Sequence, residues 1–485
     1  MPPFRPTLPL ALLSLALCGC AGTSTALLVA PEATRSTASD PAVTWATADQ
    51  ILARIQAPQF PARDFSIVDH GAVNGGQVDC TAAIRQAIDA CAAAGGGRVV
   101  VPAGVFLTGA IHLKSRVNLH LAEGATLRFS TDPNAYLPVV LTRWEGTECM
   151  NYSPLIYAFE QEDIAITGTG TLDGQAADDN WWAWARRDAN NRSPAVSDAA
   201  ALVASGDGGT PVAQRIYGAG HFLRPNFIQP YRCKNVLIEG VHIRRSPMWE
   251  VNPVLCTNVI VRNLDIMSHG PNNDGCNPDS SRDVLIEGCT FDTGDDCIAI
   301  KSGRNDDGRR VGVPAENIIV RKCIMKDGHG GVVLGSEVSG GCRNIFVEDC
   351  QMDSPNLERA LRFKSNARRG GLLENIFMRN VTIGRVAEAI ITVDFLYEEG
   401  ANGPHRPVLR NVQLEHVTGK STPRIFYIAG FAGATVDGIR LAHCDFSGVE
   451  RAELIEHAGR IELEDVMVSP KDRPRSLSSR ANGTL

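Results

Sequence analysis

Four short polar phrases in the second half of the 485-residue chain carry side chains that can move protons or grip an anion. They are Asn272-Asn273-Asp274-Gly275, Gly294-Asp295-Asp296-Cys297, Gly328-His329-Gly330 and Arg362-Phe363-Lys364. Adjacent carboxylates repel, so Asp295-Asp296 beside the apolar run Cys297-Ile298-Ala299-Ile300 costs stability in a way a solvated acidic turn does not. The other phrases have plain structural readings when taken singly. Asn-Asp-Gly is a turn sequence, a histidine between glycines is commonly structural, and Arg-x-Lys along a strand places two cations on one face. If folding gathers all four, the chemistry changes. A carboxyl crowded by other carboxylates keeps its proton to higher pH while its neighbours stay ionised, so three clustered aspartates supply a proton donor and a proton acceptor together.

The elements that would gather them are repeats. A phrase of Asn or Asp, four residues of alternating pattern, a polar or Gly residue and then a hydrophobe starts at Asn235, Asn258, Asp283, Asn317, Asn344, Asn375 and Asn411, with an eighth copy at Asp163. The seven later starts are 23, 25, 34, 27, 31 and 36 residues apart. Each phrase predicts a short strand with side chains alternating in and out. Six residues past each start stand Val241, Leu264, Cys289, Cys323, Cys350, Val381 and Val417, one apolar column. Such a column forms when coils lie on one another and their strands pair in parallel about 4.8 Å apart. The spacing therefore predicts an all-β, single-stranded right-handed parallel β-helix of about ten coils, with loops of different length leaving its corners. The leading Asn or Asp suits a turn in which its side chain bonds local backbone. No repeat holds a 10–12-residue amphipathic segment, which disfavours helical solenoids. A helix from Thr81 to Ala94, ending at Gly95-Gly96-Gly97, is expected to cap the first rung.

On this scaffold Asp295 and His329 each lie twelve residues past their repeat starts, so they fall on neighbouring coils at one face. Asp274 lies one coil before them and Arg362/Lys364 one coil after, so the four phrases occupy four adjacent rungs within roughly 15 Å.

Composition bounds the remaining possibilities. The formal charge is −7, against a basic nucleic-acid binder, and 44% hydrophobic residues suit a large folded core. The apolar run Leu8–Leu17 would rise about 15 Å as a helix, half a bilayer core, which reads as a signal h-region. Leu17-Cys18-Gly19-Cys20 resembles a bacterial lipobox with Cys20 as the acylated residue; the plain alternative is a secretory signal cut near Ala21. The expected organisation is a lipoprotein-like signal peptide at 1–20, a flexible linker at 21–62, a β-helix domain at 63–465 and a frayed tail at 466–485. Export to the periplasm or outer membrane, or secretion, follows, with the membrane touched only through the N-terminal anchor. Fourteen cysteines in an exported chain invite disulfides, but the repeat positions of Cys289, Cys323 and Cys350 suit small core residues; a Cys80–Cys91 bridge stays open. No cysteine or histidine spacing suggests zinc, so neither a metal nor a cofactor is expected.

The order and spacing of the four phrases resemble the polygalacturonase family, glycoside hydrolase family 28, whose members carry Asn-x-Asp, Gly-Asp-Asp, Gly-His-Gly and Arg-x-Lys in this order on a parallel β-helix. The likeness runs from about Asp64 to about residue 445. The stretches DTGDDCIAIKSGRN and DGHGGVVLGSE look like its bacterial, exo-acting side. The resemblance implies hydrolysis of α-1,4 bonds between galacturonic acid units of pectin with inversion; a monomer is expected. It implies Asp295 as general acid, Asp274 and Asp296 as holders and activators of the attacking water, and His329 as a tuner of the acid. It also implies Asn272, Arg362 and Lys364 as grips on a substrate carboxylate.

Local charge fits an acidic polysaccharide: residues 301–369 hold 13 Lys/Arg against 9 Asp/Glu. Two departures stand out. The tyrosine that often follows the Arg-x-Lys coil is matched by either Phe395 or Tyr397, and Cys276-Asn277 replaces an acidic position. The insertion from Gln175 to Pro225, with Trp181, Trp182 and Trp184, could wall one end of the cleft and enforce exo action. Hydrolysis of xylo- or rhamnogalacturonan, pectate elimination and a non-catalytic polysaccharide-binding β-helix are the competing readings.

Overall fold

A computed structural model describes residues 43–188, 192–434, 436–471 and 479–484. The export signal, Cys20 and the first part of the expected linker lie outside the described residues. The chain winds as a right-handed parallel β-helix. Its first face stacks Asp64–Ser66, Gly97–Val101, Val117–Leu121, Glu162–Gly168, Lys234–Glu239, Thr257–Arg262, Arg282–Glu287, Ala315–Arg321, Cys342–Glu348, Leu372–Arg379, Val408–Glu415, Ile439–Ala442 and Ile461–Pro470, each parallel to the strand before it. These thirteen rungs exceed the expected ten because the rungs at both ends lack the Asn-led phrase. A second face runs from Gly104–Thr108 to Asp445–Val449. The third begins at Ile111–His112, passes through single bridges at Val251 and Cys276, and continues with Ile298–Ile300, Val332–Leu334, Arg359–Lys364 and Ala389–Asp394.

Register follows the phrase. Val236, Val259, Val284, Ile318, Ile345, Ile376 and Val412 stand opposite one another in successive strands. The predicted column from Val241 to Val417 is buried throughout. Every leading Asn or Asp adopts φ between 55° and 61°, the left-handed conformation these residues tolerate best. Their side chains bond the next coil rather than local backbone: Asn258 donates to Asn235, Asn344 to Asn317, Asn375 to Asn344 and Asn411 to Asn375, at 2.7–3.0 Å. A turn residue repeated at one corner thus becomes a ladder that locks coil to coil. Cys289, Cys323 and Cys350 are free and buried, as are Cys80 and Cys91.

The cap helix spans Thr81–Ala93 and packs Ile84, Ala87, Ile88 and Cys91 onto the first rungs, while Asp79 Oδ1 accepts from the Thr81 backbone N–H at 2.9 Å. The expected linker of 21–62 is corrected by a helix at Trp45–Arg54. In each phrase the central residue points outward, and Leu237, Ile260, Leu285, Ile319, Phe346 and Phe377 form an external apolar stripe. Ala48, Ile51 and Ile55 cover it. Exposed, that stripe would cost about 25 cal/mol per Å², which explains why a segment of unremarkable composition is ordered. At the other end the last rung reaches Pro470 rather than 465, and Ser479–Thr484 pairs antiparallel with it, so the tail is not wholly frayed.

Candidate active site

Three of the phrases occupy neighbouring turns that lead into the third face, and Arg362-Phe363-Lys364 lies in a strand of that face. Their backbones are bonded coil to coil: Gly275 N donates to Asp296 O at 3.0 Å, Asp295 N to Asn273 O at 3.2 Å, and His329 N to Asp295 O at 3.1 Å. Coils approach so closely here that side chains are excluded at two positions. A Cβ on Gly275 would lie 2.6 Å from the Cys297 carbonyl oxygen, and one on Gly294 would lie 2.5 Å from that of Gly270. Arg362 stands opposite Val333, which stands opposite Ala299. Phe363 turns inward between Arg362 and Lys364, so the two cations share the cleft side, as alternation predicts.

All seven predicted residues of the β-helix meet. Asn272, Asp274, Asp295, Asp296, His329, Arg362 and Lys364 line one cavity of about 340 Å³. One carboxylate oxygen from each of Asp274, Asp295 and Asp296 lies within 4.8 Å of the others. The three differ in access, with side-chain exposures of 3% for Asp274, 1% for Asp296 and 20% for Asp295.

Each carboxyl faces a different cation. Lys364 Nζ is 2.6 Å from Asp296 Oδ2, with Arg362 at 3.7 Å from Oδ1. His329 Nδ1 is 3.0 Å from Asp295 Oδ1. Lys301 Nζ is 3.7 Å from Asp274 Oδ2 but closer, 3.0 Å, to Glu337. Burial, reinforced by Asp295 and Asp296, pushes Asp274 well above the usual carboxylate range. Burial also opposes the charge on Asp295, but the His329 hydrogen bond and charge outweigh it and hold that carboxyl at about 2. The hydrogen bond to Asp295 in turn raises His329 to about 9. Lys301, though buried against Trp249, stays protonated because Glu337 and Asp274 face it.

Sequence reasoning missed Lys301, Glu337, Glu145 and Arg224. They come from outside the four phrases: Glu145 from the tip of a hairpin (Val140–Trp144, Thr147–Asn151), Arg224 from the end of the insertion. Burial among Arg304, Glu337 and Glu398 puts Glu145 at about 7. The tyrosine question resolves to Tyr397, whose ring lies 5.9 Å from Arg362 Cζ and 5.5 Å from Lys364 Nζ, whereas Phe395 is in the core. In the departure Cys276-Asn277, Cys276 faces the core and Asn277 Nδ2 donates to Asp274 Oδ2 at 3.0 Å.

The insertion forms a 3₁₀ turn at Trp181–Trp184 and a helix at Pro194–Asp207. Trp182 Nε1 donates to Ser246 O at 2.9 Å, anchoring it to the coils. The helix walls a second cavity of about 670 Å³ that shares Glu145, Asn272 and Glu398 with the first. A second trio of donors, His269, Asp292 and Asp327, also lies within 4.8 Å. His269 is paired with Asp292 at 2.8 Å, and Asp327 accepts from Ser354 and Asn356, so those donors already have protein partners.

The protein is thus a parallel β-helix with three carboxyls and a cationic grip at one corner. The sequence model described as Glycosyl hydrolases family 28 matches residues 217–457. A crystal structure of a hyperthermoactive exopolygalacturonase from Thermotoga maritima is similar at TM-score 0.85 and 42% identity, over 91% of this chain and 99% of that one. A probable polygalacturonase from Vitis vinifera is 31% identical, covering 66% of this chain and 61% of that protein. An exo-poly-alpha-D-galacturonosidase from Dickeya chrysanthemi is 29% identical, covering 69% and 57%. The chain spans about three fifths of the length of these two curated relatives. The chain belongs to glycosyl hydrolase family 28.

Proposed function

We propose that this chain hydrolyses α-1,4 bonds between galacturonic acid units from a chain end, with inversion. The observation that carries this reading is the convergence of Asp274, Asp295 and Asp296 within 4.8 Å beside Arg362 and Lys364. Two buried cations suit a uronate carboxylate, which they bind by charge-assisted hydrogen bonds. Asp295, the most accessible of the three acids, delivers the proton to the leaving glycosidic oxygen. Before substrate binds, that proton sits on His329. As substrate excludes water, a buried ion pair becomes costly relative to its neutral tautomer, and the proton crosses the 3.0 Å hydrogen bond to Asp295. Asp274, which holds a proton at rest, and Asp296 hold the attacking water; Asp296 takes its proton as the water oxygen bonds to the anomeric carbon. Direct attack by either inner carboxyl is disfavoured, since Lys364 holds Asp296 and Asn277 holds Asp274 deep in the site. The walling of the adjoining cavity by the Pro194–Asp207 helix supports end-on action.

Incubation with polygalacturonate tests this. Reducing ends released as one small product from the start, with no new ultraviolet absorbance, are expected. An unsaturated product would point to elimination, a ladder of oligomers to internal cleavage, and binding without turnover to a scaffold. Galacturonan backbones carrying xylose or alternating rhamnose serve as comparison substrates. We also infer export through residues 1–20 with acylation at Cys20; fatty-acid labelling that is lost in Cys20→Ala checks it.

A further inference from the structure

The geometry points to Arg224 as a positioning residue that makes Asn272 a carboxylate reader, so that the sugar on the insertion side of the triad must be an unesterified uronate. This rests on the hydrolase reading above for the identity of the polymer. Arg224 is 1% exposed, and among the described residues no carboxylate lies within ion-pair distance of it. A buried guanidinium without a counter-ion is uncommon, because removing a charge from water is expensive unless it is paired. Its Nη1 donates to the carbonyl oxygens of Pro247 at 2.7 Å and Pro271 at 2.6 Å, and its Nη2 donates to Asn272 Oδ1 at 2.6 Å. Burial lowers its pKa only to about 10, so the positive charge persists at neutral pH.

The consequence for Asn272 follows from donor inventory. A guanidinium can only donate, so the atom it meets has to be the amide oxygen, and the amide NH2 is thereby turned away from it. Asn272 Nδ2 has no partner among the described residues, and the residue lines both cavities, at the junction between the triad and the insertion. Toward the cleft Asn272 is thus a donor with a positive charge behind it that no carboxylate contacts directly, Glu145, Asp295 and Asp274 acting on it only from a distance. A neutral hydroxyl or ester oxygen could meet the donor, but only an anion uses both. Arg362 and Lys364 lie on the coil beyond His329, so Arg224 and Asn272 read a second carboxylate from the other side of the triad.

The experiment measures binding, in Asp295→Asn protein, of trigalacturonate and of its methyl-esterified counterpart by titration calorimetry. Arg224→Gln and Asn272→Ala should each weaken acid binding about 10- to 100-fold, the range for a charge-assisted hydrogen bond, while changing ester binding much less. The double variant should lose no more than either single one, since both act through one contact. Arg224→Lys, which keeps the charge, should recover part of the preference. Asn272→Asp, which pairs with the guanidinium and offers no donor, should abolish it even if Arg224→Gln does not fold. Equal losses for acid and ester, or losses that multiply in the double variant, overturn the inference. Because the readout is binding, wild-type protein that binds with this preference yet does not hydrolyse would sink the hydrolase reading alone.

Discussion

Replacing His329 with Gln keeps a hydrogen-bond donor near Asp295 but removes the ring that carries the proton. Moving the imidazole from 6.5 to about 9 corresponds to about 3.4 kcal/mol at 1.36 kcal/mol per tenfold change. The ring is 47% exposed, so solvent screening reduces the usable part to about 1–2 kcal/mol. Asp295, displaced from 3.8 to about 2, reports a smaller effect because burial is the leading influence there, whereas at His329 the hydrogen bond outweighs it; His329 is the better gauge. The raised imidazole contributes stability that is complete below 6.5 and vanishes as pH rises through about 9. The lowered carboxyl contributes above 3.8 and loses its share as pH falls through about 2. Urea melts of wild type and His329→Gln should therefore differ most at mildly acidic pH and converge in alkali.

Catalysis gives the sharper readout. In wild type the pair retains a transferable proton until pH passes about 9, and the alkaline limb of kcat/KM follows it. In His329→Gln the proton has to reside on Asp295, which moves up once the cation is gone but remains a carboxyl. The alkaline limb then shifts to lower pH, and the loss at neutral pH falls in the range of about 10²–10⁴ typical of a general acid, shrinking on acidification. An alkaline limb that does not move, or a loss of equal size at every pH, refutes the assignment of the proton to this pair.

Asp295→Asn should abolish turnover while leaving oligogalacturonate affinity nearly unchanged, measured by product assay and calorimetry on the same preparation. Replacing the Pro194–Asp207 helix with a short loop should convert a single early product into a ladder, read by chromatography. Asn344→Ala should cost about 2–4 kcal/mol in denaturant melts, from left-handed strain and two lost hydrogen bonds; Asn344→Gly should cost about 1 kcal/mol less, since glycine escapes the strain. Ile51→Ala, at a side chain with 0% exposure, should lower stability by about 2–5 kcal/mol, with hydrogen exchange rising at Trp45–Arg54 before the rungs beneath.

What the sequence makes legible is whatever repeats. The Asn-led phrase fixes strand register, and register alone carries Asp295 to His329 and Arg362 to its neighbours, because parallel coils convert equal offsets from a repeat start into spatial contact. The Trp45–Arg54 helix is invisible by the same logic: its burial depends on the outward residues of strands up to Phe377, and no local pattern announces that stripe. Lys301, Glu337, Glu145 and Arg224 are hidden for a related reason. Lys301 follows an interior strand and Glu337 a glycine-serine turn, while Glu145 and Arg224 arrive on loops of arbitrary length, so their offsets from the repeat carry no information.

Residues outside the four phrases nevertheless help to set Asp274 apart from Asp295. Asp296 has Lys364 to itself at 2.6 Å and Asp295 has His329 at 3.0 Å. Asp274 keeps its proton chiefly because it is buried, with Asp295 beside it; Lys301, which stands closer to Glu337, offsets that only in part. The strand repeat brings the acids together, but it cannot make them different; the depth of Asp274, the imidazole on Asp295 and a cation divided between two acids do. Removing Glu337 would give Lys301 wholly to Asp274, pulling that carboxyl down, and because Asp274 holds the water in its protonated form, the alkaline limb of kcat/KM should move to lower pH in Glu337→Gln. A limb left in place would mean that Asp274's protonation has no part in readying the water.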